Sequence, residues 1–304
     1  MVDNSAKIRC RYAPDRRIAA HGKLAPTGAR AVGASLLAKT GMRATQLSSS
    51  ETTKRTDPRH SAAIKTALAM ICRLLTLFCQ PMHEALPDSF FHRDAQVLAR
   101  DLLGKVIRHK VGELWLAARI IETEAYYQAE KGSHSSLGYT EKRKAMFLDG
   151  GHIYMYYARG SDSMNFSAEG PGNAVLIKSG FPWVDALSDE NALAQMQLNN
   201  PDASGAIRPV ERLCAGQTLL CRALGLKVPM WDAKRFDPLR LRVEDVGVTP
   251  QRIIQTTRLG IPTGRDEHLQ YRFVDAEYAR FCTRNPLRRG QVEGRDYLIL
   301  TQGS

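Results

Sequence analysis

The chain has 304 residues, 43% of them apolar, and a formal net charge of +12 from 43 Lys and Arg against 31 Asp and Glu. That apolar share is ordinary for a globular protein with a packed core and excludes a fibrous or wholly disordered chain. The charge is uneven: residues 1–81 hold 14 basic against 4 acidic residues, the remainder 29 against 27, so any phosphate attraction in the larger part must come from a local patch rather than from bulk charge.

In chain order, residues 1–81 are rich in Ala, Arg, Ser and Thr without sustained periodicity. The apolar run Ile64–Cys79 is broken by Lys65 and Arg73, and it falls short of the ~20 apolar residues of a spanning helix. An Arg-rich, acid-poor leader resembles an organellar transit peptide. The expectation adopted is a basic, disordered or mis-annotated N-terminal extension over 1–81, with a natural start at Met82 and a single domain over 82–304. Cys10, Cys72, Cys79, Cys214, Cys221 and Cys282 form no C-x-x-C and no Cys/His cluster. Neither a metal site nor a disulfide framework is therefore expected, and a reducing compartment fits.

D-A-Q-V-L-A-R-D-L-L-G predicts a helix capped by Asp94 and stopped by Gly104, with Val97, Leu98 and Leu102 on one face. Lys105–Lys110 and Leu114–Ala125 read as two strands around V-G-E, Gln128–Tyr139 as a loop, and Thr140–Met146 as a charged helical turn. Asp149-Gly150-Gly151 is a turn before the strand His152–Ala158. Arg159–Ser163 then turns the chain back into Met164–Ala168, and a third strand covers Ala174–Lys178. Helices are expected over Asp189–Leu198, Ala215–Leu224 and, from the Thr249-Pro250 signal, up to about Thr257. Late strands fall at Tyr271–Val274 and Tyr297–Leu300. No internal repeat or linker divides residues 85–304, and the fold expected is mixed α/β.

The chemistry concentrates between Arg119 and Lys178. In R-I-I-E-T-E-A-Y, strand periodicity puts Glu122, Glu124 and Tyr126 on one face and Ile121, Thr123 and Ala125 on the other. Downstream come His134 in G-S-H-S-S, then Tyr154 and Tyr156 on one strand face in G-H-I-Y-M-Y-Y, Asn165 in M-N-F-S, and Lys178 closing G-P-G-N-A-V-L-I-K. Carboxylate, imidazole, phenols, amide and cation are what a site for a flat heterocycle and a hydrolytic water needs. Taken singly, each has a plainer reading: an exposed strand glutamate, a loop histidine, core tyrosines with satisfied hydroxyls, a solvated run Lys142-Arg143-Lys144.

In this order, and with the later L-C-A-G-Q-T-L-L-C-R-A-L, these residues resemble the alkyladenine (3-methyladenine) DNA glycosylase family from roughly Ala85 to Leu300. The resemblance implies a single mixed α/β domain with a curved antiparallel sheet flanked by helices and a protruding hairpin that intercalates into DNA. It implies a monofunctional hydrolase of the N-glycosidic bond of alkylated or deaminated purines, among them 3-methyladenine, 7-methylguanine, ethenoadenine and hypoxanthine. It further implies base flipping, a monomer acting on damaged double-stranded DNA, no membrane and no cofactor. The compartment would be the nucleoid-associated cytoplasm in a bacterium, or nucleus or organelle in a eukaryote. Glu124 would be catalytic; Tyr126, His134, Tyr156, Asn165, Leu176 and Lys178 would form the base pocket; Glu122 would be structural. Two positions depart from the family: Arg159 stands where a tyrosine wedge is common, with Tyr157 as the alternative wedge, and Lys178 replaces the pocket arginine. Two other classes remain open at this stage, a non-catalytic nucleic-acid-binding module and a sugar glycosidase using Glu122 and Glu124. Retaining sugar glycosidases set their carboxyls ~5 Å apart, whereas same-face strand neighbours lie nearer ~7 Å.

Overall fold

The sheet grows outward from its longest strand. In the computed structural model, which describes residues 84–301, the hairpin of Val106–Val111 (β1) and Leu114–Tyr126 (β2) pairs Val111 with Leu114 across Gly112 and Glu113. Gly112 takes the positive φ (59°) that such a two-residue turn asks of its first central residue. The remaining strands are His152–Ala158 (β3), Ser161–Ser167 (β4), Ala174–Pro182 (β5), Lys234–Arg235 (β6), Leu241–Glu244 (β7), Arg252–Thr256 (β8), Arg272–Asp275 (β9) and Tyr297–Thr301 (β10). They run in the order β10-β8-β9-β2-β5-β4-β3-β6, with β1 on β2 and β7 on β1, and the sheet does not close into a barrel. β2 is the fork: β1 pairs with its first half (Leu114–Arg119), β9 with Glu122–Glu124 on that edge, and β5 along the opposite edge from Ala118 to Tyr126. The antiparallel mixed α/β fold expected from the sequence is the one observed. The expected N-terminal extension, the run Ile64–Cys79 and the expected start at Met82 lie outside the described residues.

Helices Ala95–Asp101 (α1), Glu190–Asn199 (α2), Val210–Leu213 (α3), Gln217–Ala223 (α4) and Val228–Trp231 (α5) flank the sheet. Asp94 caps α1 by accepting from the backbone N–H groups of Gln96 and Val97, as its sequence predicts. Leu98 and Leu102 are fully buried, but Val97 is 37% exposed, because adjacent helical residues cannot share a face. The core between helices and sheet joins Leu98, Leu102, Ile107, Leu116, Ile120, Phe166, Leu220 and Phe273. Cys214 and Cys221 are buried in it as free thiols, behaving as small apolar side chains.

The expected helix after Pro250 is a strand instead. Arg252–Thr256 pairs with both β9 and β10, and the fully buried Ile254 lies opposite Val274 and Ile299. The β-branched run I-I-Q-T-T suits a half-buried sheet position, and two ladders outweigh a local capping signal. The hairpin turn is also tighter than expected: β4 begins at Ser161, and only Arg159 and Gly160 lie between Ala158 and Ser161. The short strands β6 and β7 and the helices α3 and α5 were not anticipated, being too short to show a period.

Candidate active site

A row of side chains crosses the sheet at Glu124. On β2 it lies opposite Arg272 of β9 and Leu176 of β5; Leu176 lies opposite Asn165 of β4, and Asn165 opposite Tyr154 of β3. Directly opposed residues of antiparallel strands share a face, so carboxylate, apolar wall, amide and phenol become neighbours although distant in sequence. The Asn165 amide donates to the Tyr154 carbonyl at 3.1 Å, which fixes its plane. A cavity of about 680 Å³ opens above this row. Tyr126, His134, Tyr156, Asn165, Leu176, Lys178 and Arg159 all line it, so every expected site residue but one meets at a single space. The exception is Glu124 itself, wholly buried against the lining residues Tyr126 and Lys178.

Two bulges in the β2–β5 ladder separate the fates of the two glutamates. Between Ile120 and Thr123 the register first gains a residue on β2, at Ile121, and then one on β5, at Lys178. Bulges re-aim side chains: the Lys178 ammonium comes to lie 3.4 Å from Glu124 Oε1. Glu122 is turned to another set of partners. It accepts from Arg272 Nε at 2.6 Å, from the Thr283 N–H at 3.1 Å and from the Ser179 hydroxyl. All of its hydrogen bonds are structural, and it does not line the cavity. The two carboxylates thus have separate sets of partners.

Glu124 Oε2 accepts the Tyr126 hydroxyl at 2.7 Å, and Oε1 accepts the Leu259 N–H at 3.0 Å. Burial raises the carboxyl's pKa, but the Lys178 charge, the Tyr126 hydroxyl, the Leu259 N–H and the Arg272 charge together hold it below its ordinary value. The group is therefore an anion at neutral pH although fully buried. Burial and the neighbouring Glu124 charge push the Tyr126 phenol well above its ordinary value, so it stays a donor.

The opposite wall is aromatic. Tyr154 and Tyr156 share a strand face as period two predicts, and their rings stack with centroids 5.6 Å apart at 22°. The His134 ring meets Tyr156 edge-on at 4.6 Å, and its Nδ1 lies 3.1 Å from the Tyr154 hydroxyl. Burial, and then the charges of Arg143 and Arg265, lower the His134 pKa, leaving a neutral imidazole at pH 7. His134 opens a short 3-10 turn capped by Ser133, and the Ser135 hydroxyl ties that turn to the Gly172 carbonyl at 2.6 Å. Gly172, at φ 77°, is obligatory there: a Cβ would come within 2.9 Å of Gln128 Cβ and 3.1 Å of Ser135 Cβ. That is the physical content of the G-P-G-N string.

At the cavity mouth the tip of the β3–β4 hairpin carries Arg159 at φ 51° and Gly160 at φ 80°. Two consecutive positive φ values make the tight hairpin turn that favours Asn-Gly, so Arg159 is strained there. Arg159 borders the cavity; Tyr157, 57% exposed, does not. Several wall residues were not singled out from the sequence. The segment Leu259–Pro262 supplies the N–H that holds Glu124, and Gln217 donates to the Tyr156 hydroxyl at 3.4 Å. The Gly/Pro-rich string L-G-I-P-T-G was the available signal for that segment; for Gln217 it was the A-G-Q within the resembling stretch.

The sequence model of the Methylpurine-DNA glycosylase (MPG) family matches residues 89–279. A protein of Pseudomonas savastanoi pv. phaseolicola, provisionally named a 3-methyladenine DNA glycosylase, is 87% identical over 223 residues, 73% of this chain and all of its own length. A protein of Pseudomonas aeruginosa PAO1 with the same provisional name is 73% identical over 220 residues, 72% of this chain and 92% of its own. One from Methanoculleus marisnigri, named likewise, is 32% identical over 199 residues, 64% of this chain and 97% of its own. With the family model spanning β1 to β9 and the whole cavity floor, the chain belongs to the methylpurine-DNA glycosylase family.

Proposed function

We propose that the protein hydrolyses the N-glycosidic bond of alkylated or deaminated purines in duplex DNA, with Glu124 as the catalytic carboxylate. The single observation that carries this reading is a carboxylate buried against the wall of an aromatic cavity and held by Lys178, Tyr126 and the Leu259 N–H. Oε2 accepts one hydrogen bond, from the Tyr126 hydroxyl, and Oε1 one from the Leu259 N–H with the Lys178 ammonium farther off, so the carboxylate has a lone pair left for the proton of an attacking water. The same negative charge stabilises the positive charge that develops at the sugar carbon as the base departs.

A base inside a duplex reaches such a cavity only when flipped out. Tyr126, His134 and Tyr156 would stack and bound it, Leu176 would form an apolar wall, and Asn165, its plane fixed, would discriminate against normal purines. Arg159 at the mouth would fill the emptied stack; its place on the cavity edge favours it over Tyr157 for this role. Lys178 is engaged with Glu124, which supports a monofunctional enzyme over one that forms a Schiff base; we take it to act as a monomer and without a cofactor. Glu122 is committed to Arg272, Ser179 and Thr283, which counts against a sugar-glycosidase pair.

The test is product analysis on duplexes each carrying one lesion: 3-methyladenine, 7-methylguanine, ethenoadenine or hypoxanthine. The expected products are free base and an unbroken strand with an abasic site, with EDTA without effect. Strand cleavage without added lyase or heat, or no release from any duplex, would contradict the proposal.

A further inference from the structure

We infer that Arg258 is a specificity-determining residue of the base pocket: its guanidinium, fixed against the ring of Tyr126, biases the site toward uncharged damaged bases over cationic ones. The inference rests on the glycosylase reading above, with Tyr126 as a stacking wall. Arg258 contributes nothing to the cavity surface. Its side chain is fully buried with the guanidinium carbon 4.5 Å from the Tyr126 centroid and 5.5 Å from that of Tyr271. Nη1 donates to the Ala125 carbonyl at 2.9 Å and forms an ion pair with Glu130, whose Oε1 accepts the Tyr127 N–H at 3.1 Å. Nε and Nη2 are buried without a hydrogen-bond partner among the described residues. Unpaired buried donors cost stability that an uncharged side chain of similar size would not incur.

The Tyr126 ring therefore carries a fixed cation outside the cavity while contributing to the cavity wall. A cation already bound to a ring draws on the electron density that would attract a second one, and the two charges repel through the low-dielectric interior. A 7-methylguanine nucleoside is positively charged and becomes neutral on leaving; a hypoxanthine nucleoside is neutral and acquires negative charge. Arg258 disfavours capture of the first and stabilises departure of the second. Glu130 tempers the field without cancelling it: it pairs with Nη1, while the guanidinium carbon stays 4.5 Å from the Tyr126 centroid. Lys178 and Glu124 also act on a cationic and a neutral base differently, but they stay the same in every variant compared, so a change in the ratio reports Arg258.

The experiment compares kcat/KM for hypoxanthine and for 7-methylguanine in the same duplex context, on one preparation of each variant. The ratio is independent of the fraction folded. Replacing both charges (Arg258→Met with Glu130→Gln) should lower the hypoxanthine to 7-methylguanine ratio about threefold or more, the scale of an aromatic–cation contact. Arg258→Lys should largely restore it. Glu130→Gln alone, which leaves the cation uncompensated, should move the ratio the opposite way, and it decides the matter should the double variant not fold. Equal losses on both lesions with an unchanged ratio would reduce Arg258 to a packing residue and overturn the inference alone. A wild-type protein that releases neither base would overturn the glycosylase reading and the inference with it.

Discussion

Glu122 and Glu124 sit two residues apart, yet their environments make opposite demands. Glu122 is a buried ion-pair partner whose loss would strand Arg272, 3% exposed at its side chain, without its countercharge. Breaking a buried pair from one side costs about 3–5 kcal/mol, so Glu122→Ala is expected to lower the unfolding free energy by that order in denaturant titrations; a change under about 1 kcal/mol would mean that water or another group replaces the pair. Glu124 instead matters for its charge, and its pH dependence has a definite sign. Its carboxyl lies below the ordinary 4.5 and the His134 imidazole below 6.5. A depressed carboxyl contributes stability above its unfolded pKa, and that contribution is lost as pH falls through the folded value. Lowered His134 acts in the same direction, opposing its own protonation below 6.5. The acid limb of kcat/KM against pH is therefore expected below pH 6.5; a limb at or above that value would contradict both assignments.

At the scale of elements, the β3–β4 hairpin joins a strained turn to the cavity mouth. An arginine at φ 51° costs about 1 kcal/mol relative to a residue that tolerates left-handed backbone, and strain held in place is a pointer to function. Arg159→Asn relieves the turn while removing the long cation. The expected result is a melting temperature equal to or above wild type, together with weaker excision from duplex DNA and little change on single-stranded DNA. If duplex excision is unaffected and Tyr157→Ala abolishes it, Tyr157 is the wedge. The hairpin also marks how far local sequence reached. Alternation in Y-M-Y-Y gave the strand and the shared face of Tyr154 and Tyr156, whereas the five-residue turn expected there is two residues long. The bulges at Ile121 and Lys178 leave no trace in periodicity, yet they bring Lys178 to Glu124. Nor could local signals foresee that Arg252–Thr256 would be claimed by two neighbouring strands.

At the scale of the molecule, the fork at β2 unites what the chain keeps apart. One strand receives β1 and β9 on one edge and β5 on the other, and residues as far apart as Tyr126 and Thr283 line one cavity. The residues of that cavity were legible because their types in sequence order resembled a family; composition and charge alone gave no site. Their partners, among them Gln217 at the start of α4 and Arg258 and Leu259 in the segment after β8, are brought in by long-range packing and became visible only in three dimensions. The central claim is that Glu124 turns over a substrate that the other residues bind. Single-turnover excision and DNA affinity, measured on a duplex with one hypoxanthine, separate these roles when wild type is compared with Glu124→Gln. Loss of at least a hundredfold in rate, the lower end of what a general base contributes, with affinity within a few-fold of wild type, is the predicted result; base release near the wild-type rate by Glu124→Gln would contradict it.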